Sequence, residues 1–431
     1  MAATEISEKK KQKPDSYILG VYVTLCLVSI VESYSASSRE IVMAGSIYMP
    51  MIKHVGLLVV GTVIMMIVSR MNYIRLLVPS LLFTLFTVGS MVFAMVFGEV
   101  VNGAQRAIPF FGFSLQPAEL AKIAIVLMLS FLLARFIDKK EGVVRNNGLI
   151  LCVFVVTAFG GMLLLQGMTN TILFMCISFA LLIIGGTKGK KLMNVIAVYL
   201  VVGVVFMGVK GLIEKSSLED LDKEAVETAD KSGSRLRDET WSGRIDRYLD
   251  RWFGPPAYTL PITADNEQEM YSYMAQGNGG WIGQMPGGSR ETSRLPLAFS
   301  DYVFSIVVED LGFVGGFFMI ALYFSLLIRA GNIARKCVRA YPAFLVMGMA
   351  LMVVLQAFFH MAITTGVFPV SGQPLPLISK GGTSILVTCM AFGVMLSVSR
   401  TATTKANVAK DIRQEKEALP EQMRAANPTG E

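Results

Sequence analysis

The chain has 431 residues, of which 53% are hydrophobic and only 16% are charged; a soluble globular protein has about 25% charged residues. Its apolar residues form runs of roughly 17–25, the length that crosses a bilayer, without the two-residue alternation of a β-barrel. The net charge is +7, but the basic residues cluster between apolar runs, which indicates membrane orientation and argues against nucleic acid as a partner. We therefore expect an all-α polytopic membrane protein.

The apolar runs predict ten transmembrane helices, and the Lys and Arg residues of the short loops predict that both termini are cytoplasmic. We expect a cytoplasmic tail at 1–16, a membrane domain at 17–400 with a large extracytoplasmic loop at 213–301, and a second cytoplasmic tail at 401–431. The predicted spans lie near residues 17–37, 54–70, 77–98, 119–136, 147–166, 169–186, 191–212, 302–328, 342–366 and 383–399.

Two parts of the large loop have a recognisable pattern. Residues 241–256, WSGRIDRYLDRWFGPP, place aromatic and aliphatic side chains near helical spacing, which is typical of an amphipathic helix on the membrane surface. Residues 275–289, AQGNGGWIGQMPGGS, are rich in glycine. Such a segment either brings backbone N–H groups close to an anion or forms a flexible loop, and the sequence leaves both possibilities open.

Asp301 lies where the large loop turns back into an apolar run, a position where a carboxylate is costly to bury and is often functional. Ser305 and Glu309 follow at four-residue steps and extend one polar stripe along the same helix face. A helix N-cap formed by Ser300 and Asp301 is the structural alternative. The pattern favours Asp301 as the centre of a site at the outer mouth of the protein.

Two further polar elements are predicted on the same outer side. Glu119 and Lys122 are three residues apart at the start of the fourth span, so they share a helix face and can pair, either within a site or only to orient the helix. Arg106 lies upstream and carries a planar donor group suited to phosphate oxygens. We expect these residues to line one extracytoplasmic cavity with Asp301.

The third outer element is residues 364–384, TTGVFPVSGQPLPLISKGGTS, which contain Lys380 and too many prolines and glycines for a regular helix. Irregular backbone at membrane depth is tolerated where it is buried in protein or lines a cavity. His360 precedes this segment within the ninth span, and a hydrogen-bonded core residue is the favoured interpretation of a lone histidine there. The five cysteines form no CxxC pair and indicate neither a metal site nor a disulfide framework.

These elements resemble the SEDS family (FtsW, RodA and SpoVE), the polytopic peptidoglycan glycosyltransferases of bacteria. The resemblance is carried by NGAQR and FSLQPAELAKIA at 102–124, by LPLAFSDYVF with EDLG at 295–312, and by the segment that ends at Ser384. The chain departs from the family pattern at Ala107, at QGMTNT (166–171), at Leu297, at His360 and at Lys380. The charged N-terminal extension and long C-terminal tail favour the division branch, FtsW, over the elongation branch, RodA.

The resemblance implies an inverting glycosyltransferase that polymerises lipid II into glycan strands and releases undecaprenyl pyrophosphate. Asp301 would be the catalytic carboxylate, and the substrate-binding residues would be Arg106, Glu119, Lys122, Ser305, Glu309 and Lys380. The implied partners are a class B penicillin-binding protein, divisome proteins, the nascent glycan strand and membrane lipids, at the division septum. No cofactor is certain; a divalent cation, Mg²⁺ or Mn²⁺, would be suited to share charge neutralisation. A lipid II flippase and an inactive scaffold are the alternatives.

Overall fold

A computed structural model of the protein describes residues 13–36, 48–101, 104–110, 113–138, 142–199, 201–203, 248, 253–254, 259–263, 266–295 and 298–402. Within these ranges the chain is almost entirely helical, which confirms the predicted all-α class. The helices are α1 (Ser16–Ala36), α2 (Tyr48–Arg70), α3 (Leu77–Phe97), α4 (Pro117–Phe136), α5 (Asn146–Gln166), α6 (Met168–Ile184), α7 (Glu267–Gly279), α8 (Val303–Lys336), α9 (Ala340–Thr364) and α10 (Gly382–Thr401).

Eight of the described helices are long and apolar enough to cross a membrane: α1 to α5 and α8 to α10. Helix α6 is apolar but shorter, with 17 residues. The remaining predicted span, 191–212, is helical at 191–199 and 201–203, and the rest of it lies outside the described residues. Most of the predicted amphipathic helix at 241–256 also lies outside them. The chain is thus a multi-pass membrane protein by the length and composition of its helices.

Helix α9 lies at the centre of the bundle and contacts α4, α6, α8 and α10. Helices α4, α9 and α10 are the most buried of the spans, whereas α2 and α8 expose more of their apolar surface. Helix α4 begins with Pro117 in its first turn, where a missing N–H costs nothing, and nearly all of its residues down to Leu133 are buried. Polar side chains on α4 and α9 must therefore find their partners inside the bundle.

A small antiparallel sheet between α3 and α4 was not predicted from the sequence. It consists of β1 (Glu99–Val101), β2 (Ala104–Phe110) and β3 (Phe113–Leu115), in the order β1-β2-β3. The chain passes from this sheet into α4, so the sheet lies at the same end of the bundle as the first turn of α4. Arg106 lies on β2.

Helix α8 is interrupted at Gly312, whose φ of 71° and ψ of −175° are not helical. The glycine-rich segment that follows α7 packs against this break, backbone to backbone. Gln284 and Met285 donate N–H groups to the carbonyl oxygens of Glu309 and Asp310 at 2.9 Å, and Phe313 donates to Gly280 at 2.9 Å. The described part of this segment is therefore a packing element that bonds to helix carbonyls.

Replacing Gly312 by alanine is expected to destabilise the fold strongly. A Cβ atom there would lie 2.4 Å from the carbonyl oxygen of Trp281 and 2.5 Å from the nitrogen of Gly283, and both neighbours are backbone. The positive φ alone costs about 1–2 kcal/mol for a residue with a side chain. We expect Gly312→Ala to lower the melting temperature of the detergent-purified protein and the yield of monodisperse material.

Gly331→Ala is the matched control, because Gly331 lies in the same helix and its added Cβ would meet only the sulfur of Met347, at 3.9 Å. Its melting temperature should stay at or slightly above that of the wild type, since alanine favours the helix by about 1 kcal/mol. Equal stability of the two variants would show that the break at Gly312 is not required.

Candidate active site

The loop between α9 and α10, residues 365–381, is called the proline-rich loop. Its backbone is irregular, and its carbonyl groups are bound by side chains from several helices. Gln356 and His360 of α9 bind the carbonyl oxygens of Pro374 and Gln373, Tyr323 of α8 donates to that of Pro376 at 2.7 Å, and Ser29 of α1 donates to that of Leu377 at 2.7 Å. The bundle therefore fixes this loop from three helices.

Asp301 lies in the turn that precedes α8, directly against the proline-rich loop. Ser300 donates its hydroxyl to Oδ1 of Asp301 at 2.7 Å. A Cβ atom added at Gly372 would lie only 3.0 Å from Oδ2 of Asp301, so glycine at this position leaves room for the carboxylate. Asp301 is partly exposed and Gly372 is exposed, and the two form an accessible acidic position at the end of the bundle.

The backbone of Lys380 connects the far end of the proline-rich loop to the same turn, because its N–H donates to the carbonyl oxygen of Phe299 at 2.9 Å. Lys380 is partly exposed. Thr383, at the start of α10, donates to the carbonyl oxygen of Ser114 at 2.9 Å and accepts from the N–H of Gln116 at 3.0 Å. The approach to α4, the Asp301 turn and the proline-rich loop are thus adjacent, whereas their predicted position on the outer side of the membrane stays a prediction.

Glu119 and Lys122 form the predicted pair, with 2.6 Å between Oε1 and Nζ. The pair is buried, since their side chains are 3% and 1% exposed. Nζ of Lys122 also donates to Oε1 of Gln356 at 2.9 Å, and Nε2 of Gln356 donates to the carbonyl oxygen of Pro374 at 3.1 Å. The pair therefore reaches the proline-rich loop through Gln356.

Ser305 and Glu309 are fully buried on the first turns of α8 and bind the segment 272–292. The hydroxyl of Ser305 is 2.7 Å from that of Ser272 and accepts from Gln276 at 3.1 Å. The Glu309 carboxylate accepts from the N–H of Arg290 at 3.0 Å and from the hydroxyl of Ser289. The hydrogen bonds of these two residues hold α7 and its following loop against α8, and their predicted contribution to substrate binding stays a prediction.

His360 and Gln356 take part in this arrangement although the sequence did not mark them as site residues. His360 is fully buried and hydrogen-bonded, in agreement with its interpretation as a core residue. Asn170 of α6 is a further contact, because its side-chain oxygen accepts from the amide of Gln373 at 2.8 Å. Their partners lie between 13 and 234 residues away in the chain, so spacing along one helix could not reveal them.

No group of three or more His, Cys, Asp or Glu side chains within the described residues is arranged to hold a metal ion. Arg106 lies on β2, and its contribution to the site stays a prediction. The described site is thus one reachable carboxylate, Asp301, backed by a loop that buried polar side chains hold in place.

The sequence profile of the FtsW, RodA and SpoVE family, described as cell cycle proteins, matches residues 16–404. The chain belongs to this family. A probable peptidoglycan glycosyltransferase FtsW from Geobacter metallireducens is 30% identical over 412 residues, which cover 92% of this chain and 97% of that protein. The FtsW relative from Aliivibrio salmonicida is 27% identical over 387 residues, with 88% and 86% covered. The predicted family resemblance is confirmed.

Solved structures also share the fold of this chain. The crystal structure of RodA, the rod shape determining protein of Thermus thermophilus, matches with a TM-score of 0.59 at 19% identity, covering 90% of this chain and 97% of that one. A chain of a peptidoglycan synthase complex, described as coordinating polymerization and crosslinking, matches with a TM-score of 0.61 at 20% identity, covering 90% and 98%. At this identity the likeness establishes the polytopic helical architecture.

Gly372→Ala is expected to lower the catalytic activity of the protein while leaving its fold intact. The added methyl group would press on Oδ2 of Asp301 from 3.0 Å, which displaces the carboxylate by a few tenths of an ångström. Misplaced reacting groups reduce rates steeply, so we expect a loss of about tenfold or more in kcat. The measurement is the initial rate of glycan polymer formation per folded molecule.

Gly381→Ala, in the same loop, is the control, because its nearest contact would be the Cβ of Ser384 at an ordinary 3.4 Å. It should keep a rate close to the wild type. Equal rates in the two variants would mean that close packing of Gly372 on Asp301 has no catalytic consequence.

Proposed function

We propose that the protein polymerises lipid II into glycan strands at the outer face of the cytoplasmic membrane during cell division, with Asp301 as general base. The observation that carries the proposal is the whole-length likeness to proteins named peptidoglycan glycosyltransferase FtsW, which spans 97% of the Geobacter metallireducens relative. The position of Asp301 supports the residue assignment, because its carboxylate is partly exposed at one end of the bundle.

The reaction requires one base and one stabilised leaving group. The 4-hydroxyl of the acceptor GlcNAc attacks the anomeric carbon of the donor MurNAc, the bond from that carbon to the pyrophosphate oxygen breaks, and undecaprenyl pyrophosphate departs. The hydroxyl proton passes to the Asp301 carboxylate. An α-linked donor gives a β-linked product by this single displacement, so no covalent enzyme intermediate is needed.

Accessibility distinguishes Asp301 from four buried acids of α1, α8 and the loop that follows α7. Glu32, Glu291, Glu309 and Asp310 are all at most 2% exposed, whereas Asp301 is partly open. A general base must come within about 2.6–3.2 Å of the atom whose proton it takes. The turn before α8 is therefore a position where an acceptor sugar arriving from outside can meet a carboxylate.

Cationic groups near the departing pyrophosphate would stabilise its negative charge. We assign this role to Arg106 and Lys380. The buried residues Glu119, Lys122, Ser305 and Glu309 would support the substrate site by holding the surrounding segments in place. Burial of the Glu119–Lys122 pair favours an action of Lys122 through Gln356 and the proline-rich loop. A divalent cation such as Mg²⁺ or Mn²⁺, supplied with the substrate, would add to the same neutralisation.

We further propose that the protein works at the septum, with both termini in the cytoplasm, beside a class B penicillin-binding protein and other divisome proteins. The likeness to a chain of a complex described as coordinating polymerization and crosslinking supports such a partner. Grooves between the apolar helices would hold the polyprenyl tails of the lipid substrates.

Asp301→Asn is expected to abolish polymer formation while the protein stays folded and inserted in the membrane. Asparagine preserves the size of the side chain and can still accept from Ser300, but it cannot take up the acceptor proton. Loss of a positioned general base lowers rates by about 10²–10⁴. The test is polymerisation of purified lipid II by the purified protein, with and without the transpeptidase.

Asp138→Asn, the same change in the loop between α4 and α5, is the control and should polymerise at the wild-type rate. Normal glycan synthesis by Asp301→Asn would refute the assignment of the base. Movement of lipid II across vesicles by a wild-type protein that forms no polymer would favour the flippase alternative.

Lys122→Ala is expected to lose activity and stability together. Removing one partner of a buried ion pair leaves an uncompensated charge and costs about 3–5 kcal/mol. The double variant Glu119→Gln with Lys122→Met removes both charges, so we expect its melting temperature to recover while polymerisation stays reduced. Full activity in the double variant would restrict the pair to helix packing.

A further inference from the structure

Helix α9 presents two polar side chains, Gln356 and His360, to consecutive residues of the proline-rich loop. Four residues separate them, so they lie on the same helix face one turn apart. Nε2 of Gln356 donates to the carbonyl oxygen of Pro374 at 3.1 Å, and Nδ1 of His360 is 2.6 Å from the carbonyl oxygen of Gln373. The segment 373–374 is thus bound at both carbonyls by one rigid element.

His360 also binds the segment that follows Asp301 in the chain. The backbone N–H of Phe304 points to its Nε2 at 3.4 Å. Phe304 lies in the first turn of α8, where N–H groups have no partner within the helix, and no side chain of the preceding residue caps this end. The histidine ring therefore supplies an acceptor that the start of α8 lacks.

The two contacts define one chemical state of the ring. A carbonyl oxygen can only accept, so Nδ1 carries the proton, and Nε2 is left with a lone pair for the N–H of Phe304. A neutral His360 protonated at Nδ1 satisfies both neighbours, and the ring is fully buried. It neither reaches the reacting atoms nor exchanges a proton with them.

The two contacts of His360 reach both segments that lie next to Asp301, the start of α8 and the proline-rich loop. Phe304 comes three residues after Asp301. Gln373 comes directly after Gly372, where an added Cβ atom would lie 3.0 Å from Oδ2 of Asp301. One imidazole ring ties both segments to α9. A shift of the ring would therefore change the distance between the carboxylate and the loop that packs on it.

We propose that His360 and Gln356 are positioning residues that set the Asp301 carboxylate through the proline-rich loop. The inference rests on the proposed function, because it assumes that Asp301 is the base. Gln356 adds a connection to the charged pair, since its Oε1 accepts from Lys122 at 2.9 Å and its Nε2 also donates to Ser384 at 3.3 Å. Lys122, 1% exposed, acts on the site along this path.

The test compares His360→Phe, which keeps a ring of similar size but removes both hydrogen bonds, with His360→Asn, whose amide nitrogen can take the place of Nδ1. A misplacement of about 1 Å in a reacting group costs about 10²-fold in rate. We expect His360→Phe to lower kcat for lipid II polymerisation by about 10–100-fold with KM within about twofold of the wild type. His360→Asn should recover kcat to within a few-fold.

Rates are expressed per folded molecule, from size-exclusion profiles and melting temperatures of the same preparations. Tyr341→Phe, at the opposite end of α9, is the control and should leave kcat and KM unchanged. Should His360→Phe fail to fold, Gln356→Met takes its place, with the same expected fall in kcat and unchanged KM.

The outcomes separate this inference from the proposed function. Wild-type kcat in His360→Phe or Gln356→Met, alongside an inactive Asp301→Asn, overturns the positioning role and leaves the base assignment standing. A rise in KM at unchanged kcat also overturns it, because that pattern indicates substrate binding. A wild-type protein that forms no polymer in the same assay refutes the proposed function itself.

Discussion

The proline-rich loop must satisfy its backbone polar groups inside an apolar bundle, and the rest of the site depends on how it does so. Each buried carbonyl left without a donor would cost about 1–3 kcal/mol. The donors come from α1, α8 and α9, so the loop can hold its shape only when these helices are packed correctly. Asp301 can therefore be placed correctly only when the helices of the bundle are packed correctly.

The buried charges of Glu119 and Lys122 must also find partners inside the bundle. Lys122 could not stay charged inside the bundle without Glu119, and a buried ion pair needs further hydrogen bonds to offset its desolvation. Gln356 supplies one of these bonds and passes the constraint on to Pro374. The hydrogen bonds that offset the burial of Lys122 therefore also link α4, α9 and the proline-rich loop.

Much of the fold was predictable from the sequence because hydropathy and length act locally. The predicted spans 77–98 and 147–166 agree with α3 and α5 to within one residue at each end. The Glu119–Lys122 pair was also predictable, since i, i+3 spacing decides which side chains meet on a helix.

The missed features depend on contacts between distant segments. The break at Gly312 follows from the backbone of the glycine-rich segment, and the role of His360 follows from Phe304 and Gln373. The spacing of apolar residues in the sequence predicts neither the break at Gly312 nor the contacts of His360. The three-stranded sheet was missed because its strands are short and irregular, with two of only three residues.

The proline-rich loop changes from buried to exposed at Gly372. Residues 373 and 375–379 are buried and held by side chains, whereas Gly372 is exposed. Because Gly372 packs closely against Asp301, the carboxylate lies where the fixed part of the loop emerges to the surface. A substrate can approach such a position from outside while the residues behind it stay in place, and that is the arrangement a preorganised general base requires.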